Sequence, residues 1–539
     1  MNFRSIIRGL LADSAGSVLP IGAAALLLLI LAIGGGIEFS RYHLVESRMQ
    51  QACDAAVLAG RKAQTGTNYG DEQKATATDY FNFNMPSGMA GIQSVSFTST
   101  AGNDGAIEGT AKGELPPTLM QIIGFDGFRL QVNCAARLDI ANTDVMFVLD
   151  STNSMNCPAD ASYCQNGNNN GVEASGSRIQ AVRDATLAFY DILEGAKGGS
   201  QVRYGFLPYN VSVNVGYLLT SNYLVDSANY NSRENEQVEI CTGSGRRRRC
   251  NLVNQWVHKD RTFDVTGYKA GETVSNPAKS SGDSSRWEGC IEERQAVATN
   301  DFNPVPADAF DMDIDLAPSS DATRWVPLWP DVVYDRPAGS TSATYDDTNS
   351  NNRSALLNYY LTTACPIQAS LVAARTRGEM EDYVRDLDAS GNTYHDLGMI
   401  WGGRLLSPTG MFAAHNTDAP NGFPINRNLI FLTDGEPHPR TWDYGPYGVE
   451  HLDFRVVGPN GDYGDTNLTN LHVAKFIANC NSIKAKNITI WVVNFGLPLN
   501  DAMTACASPG RAYSAQNAAE LRSRFEEIAT QIANLRLVK

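Results

Sequence analysis

Positive charge and histidine are both scarce in this chain. Against 58 acidic residues stand 43 basic ones, a net charge of −15, and only seven histidines are spread over 539 residues. A deficit of basic charge speaks against a nucleic-acid partner, which needs an electropositive footprint. No Gly-rich phosphate loop, no Cys/His cluster at zinc spacing and no nucleophile elbow occurs. Without a nucleophile–base pair the chain reads as a binder and not as an enzyme. Charge of either sign is missing altogether from Ser14 to Ile37, around the run Ala23-Ala24-Ala25-Leu26-Leu27-Leu28-Leu29-Ile30-Leu31-Ala32-Ile33. A bilayer core of about 30 Å takes roughly 20 apolar residues as helix, so this stretch can cross once.

Arg4 and Arg8 precede the run and Arg41 and Arg48 follow it, so flanking charge does not set the orientation. Long downstream domains translocate largely regardless of such charge. A cleaved signal peptide has an apolar region of about 7–15 residues followed by a small-residue cleavage site. This run is longer, and Gly34-Gly35-Gly36 leads on into helix-forming sequence, so the expectation is an uncleaved anchor. From Glu38 to Lys62 no proline occurs and good helix formers dominate, which lets the helix continue outward; residues 1–62 form the anchor and stalk helix. Residues 63–140 hold alternating segments, Ser94–Thr98 and Phe128–Val132, between Gly/Asn turns, and read as a small antiparallel sheet packed on that helix.

Ten cysteines are present, an even number. Close neighbours suggest Cys157 with Cys164, Cys241 with Cys250 and Cys480 with Cys506. Cys53 with Cys134 would tie the stalk helix to the next region, leaving Cys290 with Cys365. Spacing leaves connectivity open, but oxidised cysteines place the chain outside the cytosol.

Three short motifs further on belong together. Asp150-Ser151-Thr152-Asn153-Ser154 follows the apolar run Val145–Leu149. Thr393 opens Thr393-Tyr394-His395-Asp396-Leu397-Gly398, and Asp434-Gly435 closes the apolar run Leu429–Thr433. Such runs read as buried parallel strands, and ligands bind at the carboxyl ends of strands in open α/β sheets. A hard cation wants oxygen donors, and the hydroxyls of Thr152 and Ser154 can reach one ion from a tight loop. The pattern resembles the von Willebrand factor A (vWA) domain and its metal-ion-dependent adhesion site, D-x-[ST]-x-S, then T-x4-G, then D-G. The resemblance implies a doubly wound, mostly parallel sheet over residues 144–539. It also implies a divalent cation, Mg²⁺ before Mn²⁺ or Ca²⁺, held by Thr152, Ser154 and Thr393. Asp150 and Asp434 would act through water, and an open position would take a partner's acidic side chain. Thr152 stands where the family usually has Ser.

Two other acidic runs fit a cation less well. Asp386-Leu387-Asp388-Ala389-Ser390-Gly391 starts like a calcium loop, but Leu397 stands where a bidentate Glu is required. Asp311-Met312-Asp313-Ile314-Asp315 follows no apolar strand and reads as a solvated loop, while His395 and His438 read as rim residues. Residues 216–358 are rich in Ser, Asn, Asp and Pro and too long for an ordinary loop, so they form an insertion, with Arg246–Arg249 at a hairpin tip. That tip reads as a solvated loop before a contact for anionic envelope polymers. Helices are expected at Ser177–Gly195, 377–386, 396–406, 473–485 and 518–535, and strands at 202–213 and Ile488–Phe495.

The segment Arg48-Met49-Gln50-Gln51-Ala52-Cys53-Asp54-Ala55-Ala56-Val57-Leu58-Ala59-Gly60, after an apolar anchor, resembles the N-terminal part of TadE/TadG-like proteins of the Flp, or tight-adherence, pilus system. With the A-type motifs the likeness narrows to the TadG-like members. It implies an inner-membrane anchor, a pilin-like stalk able to self-associate, and a domain in the periplasm or envelope that assists pilus assembly or anchoring. After Gly16 the fifth residue is Ile21 where pilin-type cleavage sites carry Glu, so such processing is not expected. The alternatives are a surface adhesin using the same metal site, and a vWA partner of an AAA-type ATPase.

Overall fold

The computed structural model describes residues 18–63, 69–102, 106–136, 142–161, 171–197, 200–279, 282–334, 343–344, 365–417 and 424–535. The chain divides into two compact units, Met1–Ile140 and Ala141–Lys539.

The first unit is built on one long helix, α1 (Val18–Lys62). Its Ile21–Lys62 part is the one helix among the described residues that is long and apolar enough to cross a membrane. Ile21, Leu26, Leu28, Leu29, Ile30 and Ile33 are exposed. Further along, Val45, Met49, Ala52, Cys53, Ala56 and Val57 are buried, the three- and four-residue spacing that puts side chains on one helix face. That face meets a three-stranded antiparallel sheet of β1 (Gln93–Ala101), β2 (Ile107–Leu115) and β3 (Phe128–Ala136). A disulfide joins Cys53 on α1 to Cys134 on β3. A second helix, α2 (Asp71–Asn84), was not legible in the sequence, because only Ala77 and Phe81 of it are buried.

The second unit centres on a six-stranded sheet. Its strands are β4 (Asn142–Asp150), β5 (Val202–Tyr209), β8 (Ser370–Ala373), β9 (Ile425–Thr433), β10 (Ile488–Phe495) and β11 (Ala512–Ala515), in the order β8-β5-β4-β9-β10-β11. Pairing is parallel throughout except between β8 and β5, whereas the other described sheets are antiparallel. All nine residues of β4 are buried, which accounts for its unbroken apolar run.

Side chains alternate between two cores. Val145, Phe147 and Leu149 join Ile430, Leu432 and Val493 beneath α3 (Arg178–Gly195), α4 (Arg377–Arg385) and α7 (Ala518–Leu535). Met146 and Val148 join Leu207, Leu429 and Phe431 beneath α5 (His395–Leu406) and α6 (Asp465–Lys484). Helix α6 begins well before residue 473, where the sequence pattern placed it, because its first turns are polar. Gly398 is where α5 crosses β5: a Cβ there would lie 2.6 Å from the Tyr209 ring, so only glycine permits this approach.

The insertion is integral to the second core. It opens with a hairpin of β6 (Ser227–Thr242) and β7 (Arg249–Asp264), in unbroken register from Ser227↔Asp264 to Thr242↔Arg249. The Cys241–Cys250 disulfide bridges its far end, where Arg246, Arg247 and Arg248 are exposed. Trp287, Trp325, Trp329 and Tyr334 from the insertion are buried in the core under α5 and α6. Segments 335–342 and 345–364 lie outside the described residues. The Asp311–Asp315 run corrects the expectation of a solvated loop. Asp311 is buried and accepts from Lys475 and the Tyr447 hydroxyl, and Asp315 accepts from Ser407, Thr409 and Lys486. A carboxylate with one oxygen paired to a buried ammonium and a phenol can leave water at acceptable cost, which composition alone does not reveal; Asp313, between Asp311 and Asp315, is exposed as expected.

Disulfides Cys290–Cys365 and Cys480–Cys506 lie in this unit. Cys157 is disulfide-bonded too, and Cys164, its expected partner, lies outside the described residues. No cysteine among the described residues is free.

Candidate metal centre

Chain order runs from β4 to its neighbour β5 and later returns to β9 on the other side of β4. Strand order therefore reverses at β4, and the crevice at its carboxyl end is where an open α/β sheet offers a site. The parallel register Leu432↔Leu149 brings Asp150 and the Thr433-Asp434 pair to that end together.

Asp150 Oδ1 accepts from the Thr152 backbone N at 2.8 Å, which curls the loop back over the strand end. The Thr152 and Ser154 hydroxyls lie 3.1 Å apart, and Ser154 Oγ donates to Asp434 Oδ1 at 2.6 Å. The Gly391 loop is stitched to the Asp150 loop by Ser390 N to Ser151 O at 2.8 Å and Asn153 N to Gly391 O at 3.1 Å. Thr393, on that loop, is buried, and its carbonyl accepts from His438 N at 2.9 Å. Among the described residues its hydroxyl makes no hydrogen bond to the other four. Asp150, Thr152, Ser154 and Asp434 are thus joined side chain to side chain or through backbone, and Thr393 is brought up with its loop.

Three residues have roles at the site that sequence reasoning missed. Arg178, the first residue of α3, donates from Nη1 to Asp434 Oδ2 at 2.8 Å and from Nη2 to Ala161 O at 2.9 Å. Thr433 donates to Asp150 Oδ2 at 2.7 Å. Having given up its only proton, Thr433 accepts from His395 Nε2, 2.9 Å away. His395 is therefore no rim residue: it is buried, and burial pushes its imidazole down to about 3. His438 is exposed, as a rim residue should be. The position of Arg178 directly after the Ser177 N-cap was the one signal available, since a helix opening beside a strand end points its first residues at the crevice.

Burial, with Asp434 close by, pushes Asp150 up to about 7, against hydrogen bonds from Thr152 and Thr433. Asp434 is raised as well, by burial first, although Arg178 and Ser154 pull it down. Two buried carboxylates crowd here, and Asp150 receives hydrogen bonds only from neutral donors. An all-oxygen set with excess negative charge suits a hard divalent cation. The one cluster of three His, Cys, Asp or Glu ligand atoms within 4.8 Å of one another among the described residues, Glu239 with Cys241 and Cys250, offers no thiolate because its sulfurs are bonded to each other.

The Tad family model, Flp pilus-assembly TadE/G-like, matches residues 16–67. No curated protein matches the chain. Among solved structures, the pilus adhesin SpaC of Lactobacillus rhamnosus GG is similar at 10% identity and a TM-score of 0.30, over 82% of this chain and 34% of that one. The chain thus spans about a third of that adhesin's length. The PilB minor pilin of Streptococcus sanguinis is similar at 12% identity and a TM-score of 0.30, over 82% and 78%. The vWF domain of the type V pili tip protein Mfa5 of Porphyromonas gingivalis is similar at 9% identity and a TM-score of 0.30, over 74% and 97%.

Proposed function

We propose that this is a membrane-anchored, extracytoplasmic protein of the Flp pilus system whose second unit is a doubly wound vWA domain that binds a partner through a divalent cation. The match at residues 16–67 supports the pilus context, and the disulfides fit a compartment outside the cytosol. The observation that carries the binding reading is the meeting of Asp150, Thr152, Ser154 and Asp434 at the ends of β4 and β9. Thr152, Ser154 and Thr393 would hold the ion, with Asp150 and Asp434 behind them; bound there, it would supply an electrophilic position for a partner's carboxylate. The chain's own residues prepare this. Thr433 and His395 fix the orientation of Asp150, and Arg178 offsets the charge of Asp434. The partner is a pilus-assembly or envelope protein with an acidic side chain, and the role is binding and not turnover.

Mg²⁺ or Mn²⁺ should raise the melting temperature of the detergent-solubilised chain over an EDTA control, and the Thr152→Ala/Ser154→Ala variant should lose that response. In the native strain the same variant should lose surface pili or their retention. If the metal response survives in the variant, the site is misassigned. Normal piliation with lost surface attachment would instead favour the adhesin reading.

A further inference from the structure

The first unit carries an apolar tip that its own core does not cover. Between β2 and β3 a short turn, Met120–Ile123, leaves Ile122 85% and Ile123 54% exposed, with Leu119 beside them 44% exposed. The turn leans on α1 where that helix is still uncharged. A Cβ on Gly34 would lie 3.4 Å from Met120 Sδ and 3.6 Å from Leu119 Cβ.

One turn further along α1 the contact becomes polar. Glu38 is 2% exposed and its Oε1 accepts from the backbone N of Leu119 at 2.8 Å and from that of Thr118. Arg41 Nη1 donates to Glu38 at 2.9 Å and to the Thr118 hydroxyl, while Nη2 donates to Ala90 O at 3.2 Å. The loop is thus held by its polar backbone at the level of Glu38, and its apolar side chains sit about 6 Å nearer the N-terminus, at 1.5 Å of rise per residue. Rings gather just beyond the clamp, with Tyr42 and Phe128 4.8 Å apart and Phe125 and Phe128 5.0 Å apart. Arginine and aromatic side chains in this arrangement mark the boundary between hydrocarbon and water.

We propose that Leu119–Ile123 is a second membrane-inserted element, a wedge that enters the acyl-chain boundary of the outer leaflet beside α1. The occupant of its apolar face is lipid, because the exposed apolar flank of α1 lies on the same side of the Glu38–Arg41 clamp. Amphipathic elements bury their apolar face about 5–10 Å into this boundary. The wedge gives the unit two points of attachment, so the first unit is held against the bilayer and cannot swing freely on a single helix. This rests on the reading of α1 as an anchor.

The test uses the full chain in lipid nanodiscs. No cysteine among the described residues is free, so the thiol of Ile122→Cys takes the nitroxide label, with the unsubstituted chain as the labelling blank. Leu28→Cys, in the exposed apolar flank of α1, and Phe83→Cys, 84% exposed on α2, are labelled in parallel. Power saturation then reads accessibility to oxygen, which partitions into lipid, and to a water-soluble nickel chelate. The expected result is a Leu28 and an Ile122 label that see oxygen well and nickel poorly, with Phe83 the reverse. An Ile122 label accessible to nickel, with Leu28 in lipid, would overturn the wedge. So would a label shielded from both reagents, which would show protein, such as a second copy, covering the tip. A Leu28 label accessible to nickel would overturn the anchor itself.

Discussion

Glu293→Gln tests whether the insertion is part of the core, because it removes one charge and almost no volume. Glu293 and Arg404 are both fully buried. Glu293 Oε1 accepts from Arg404 Nη1 at 2.8 Å and from Trp401 Nε1 at 2.5 Å, and Oε2 accepts from Trp325 Nε1 at 3.2 Å. Burial alone would raise this carboxyl; the Arg404 and Arg294 guanidinia outweigh it and hold the group below the usual range. Breaking a buried pair by removing one charge typically costs about 3–5 kcal/mol. With about 2.1 cal/mol/K of unfolding entropy per residue, a unit of roughly 400 residues should then melt about 4–6 °C lower. Differential scanning calorimetry of the solubilised chain at neutral pH reads this directly. The sign of the pH dependence follows from the lowered folded-state value. The contribution is fully present above the unfolded carboxylate range and is lost as pH falls through the folded one, so wild type and variant should converge in strong acid. Glu293→Gln/Arg404→Gln should lose less than the sum of the single changes, as coupled neighbours do. A variant melting within about 1 °C of wild type at neutral pH would refute the buried-charge argument.

Asp434→Ala should cost about 3–5 kcal/mol even with EDTA present, because it strands Arg178, whose side chain is 10% exposed; Ser154→Ala removes the hydrogen bonds to Asp434 and Thr152 but strands no charge, and should cost about 1–2 kcal/mol. Comparative urea melts check the order, and equal losses would contradict it. Cys290→Ser/Cys365→Ser opens a bridge spanning 75 residues and should cost about 2–4 kcal/mol in the same assay. Thiol titration of denatured, unreduced protein should find no free thiol, and finding several would sink the disulfide set. Replacing Arg246, Arg247 and Arg248 by Ser should leave stability within about 0.5 kcal/mol, since all three are exposed.

What was legible in the sequence is what burial writes there. Strands β4 and β10 are apolar because both faces are covered, and α3 shows a stripe because one face is. The carboxylates and hydroxyls of the candidate site could be read off because they sit at the ends of such strands. Arg178 and His395 could not be: each gains its role from a partner more than 30 residues away in sequence. The long hairpin of β6 and β7 was missed beyond its tip because Asn, Glu, Gln and Ser fill it, and register rather than apolar alternation holds it. Asp311 looked like a surface residue because composition cannot show that Lys475 and Tyr447 wait for it in the core.

The Cys53–Cys134 bond also determines how the protein bears load. A pull carried along the chain from the C-terminal side enters the first unit at the end of β3, two residues beyond Cys134. The bond passes that force straight to Cys53 on α1, so the intervening sheet and α2 are bypassed and need not resist it by packing. Once it is reduced, unfolding the sheet and α2 under load would release 81 residues of chain, on the order of 270 Å at about 3.4 Å per residue. With the bond intact that length is locked away covalently; without it, only packing and hydrogen bonds hold it back.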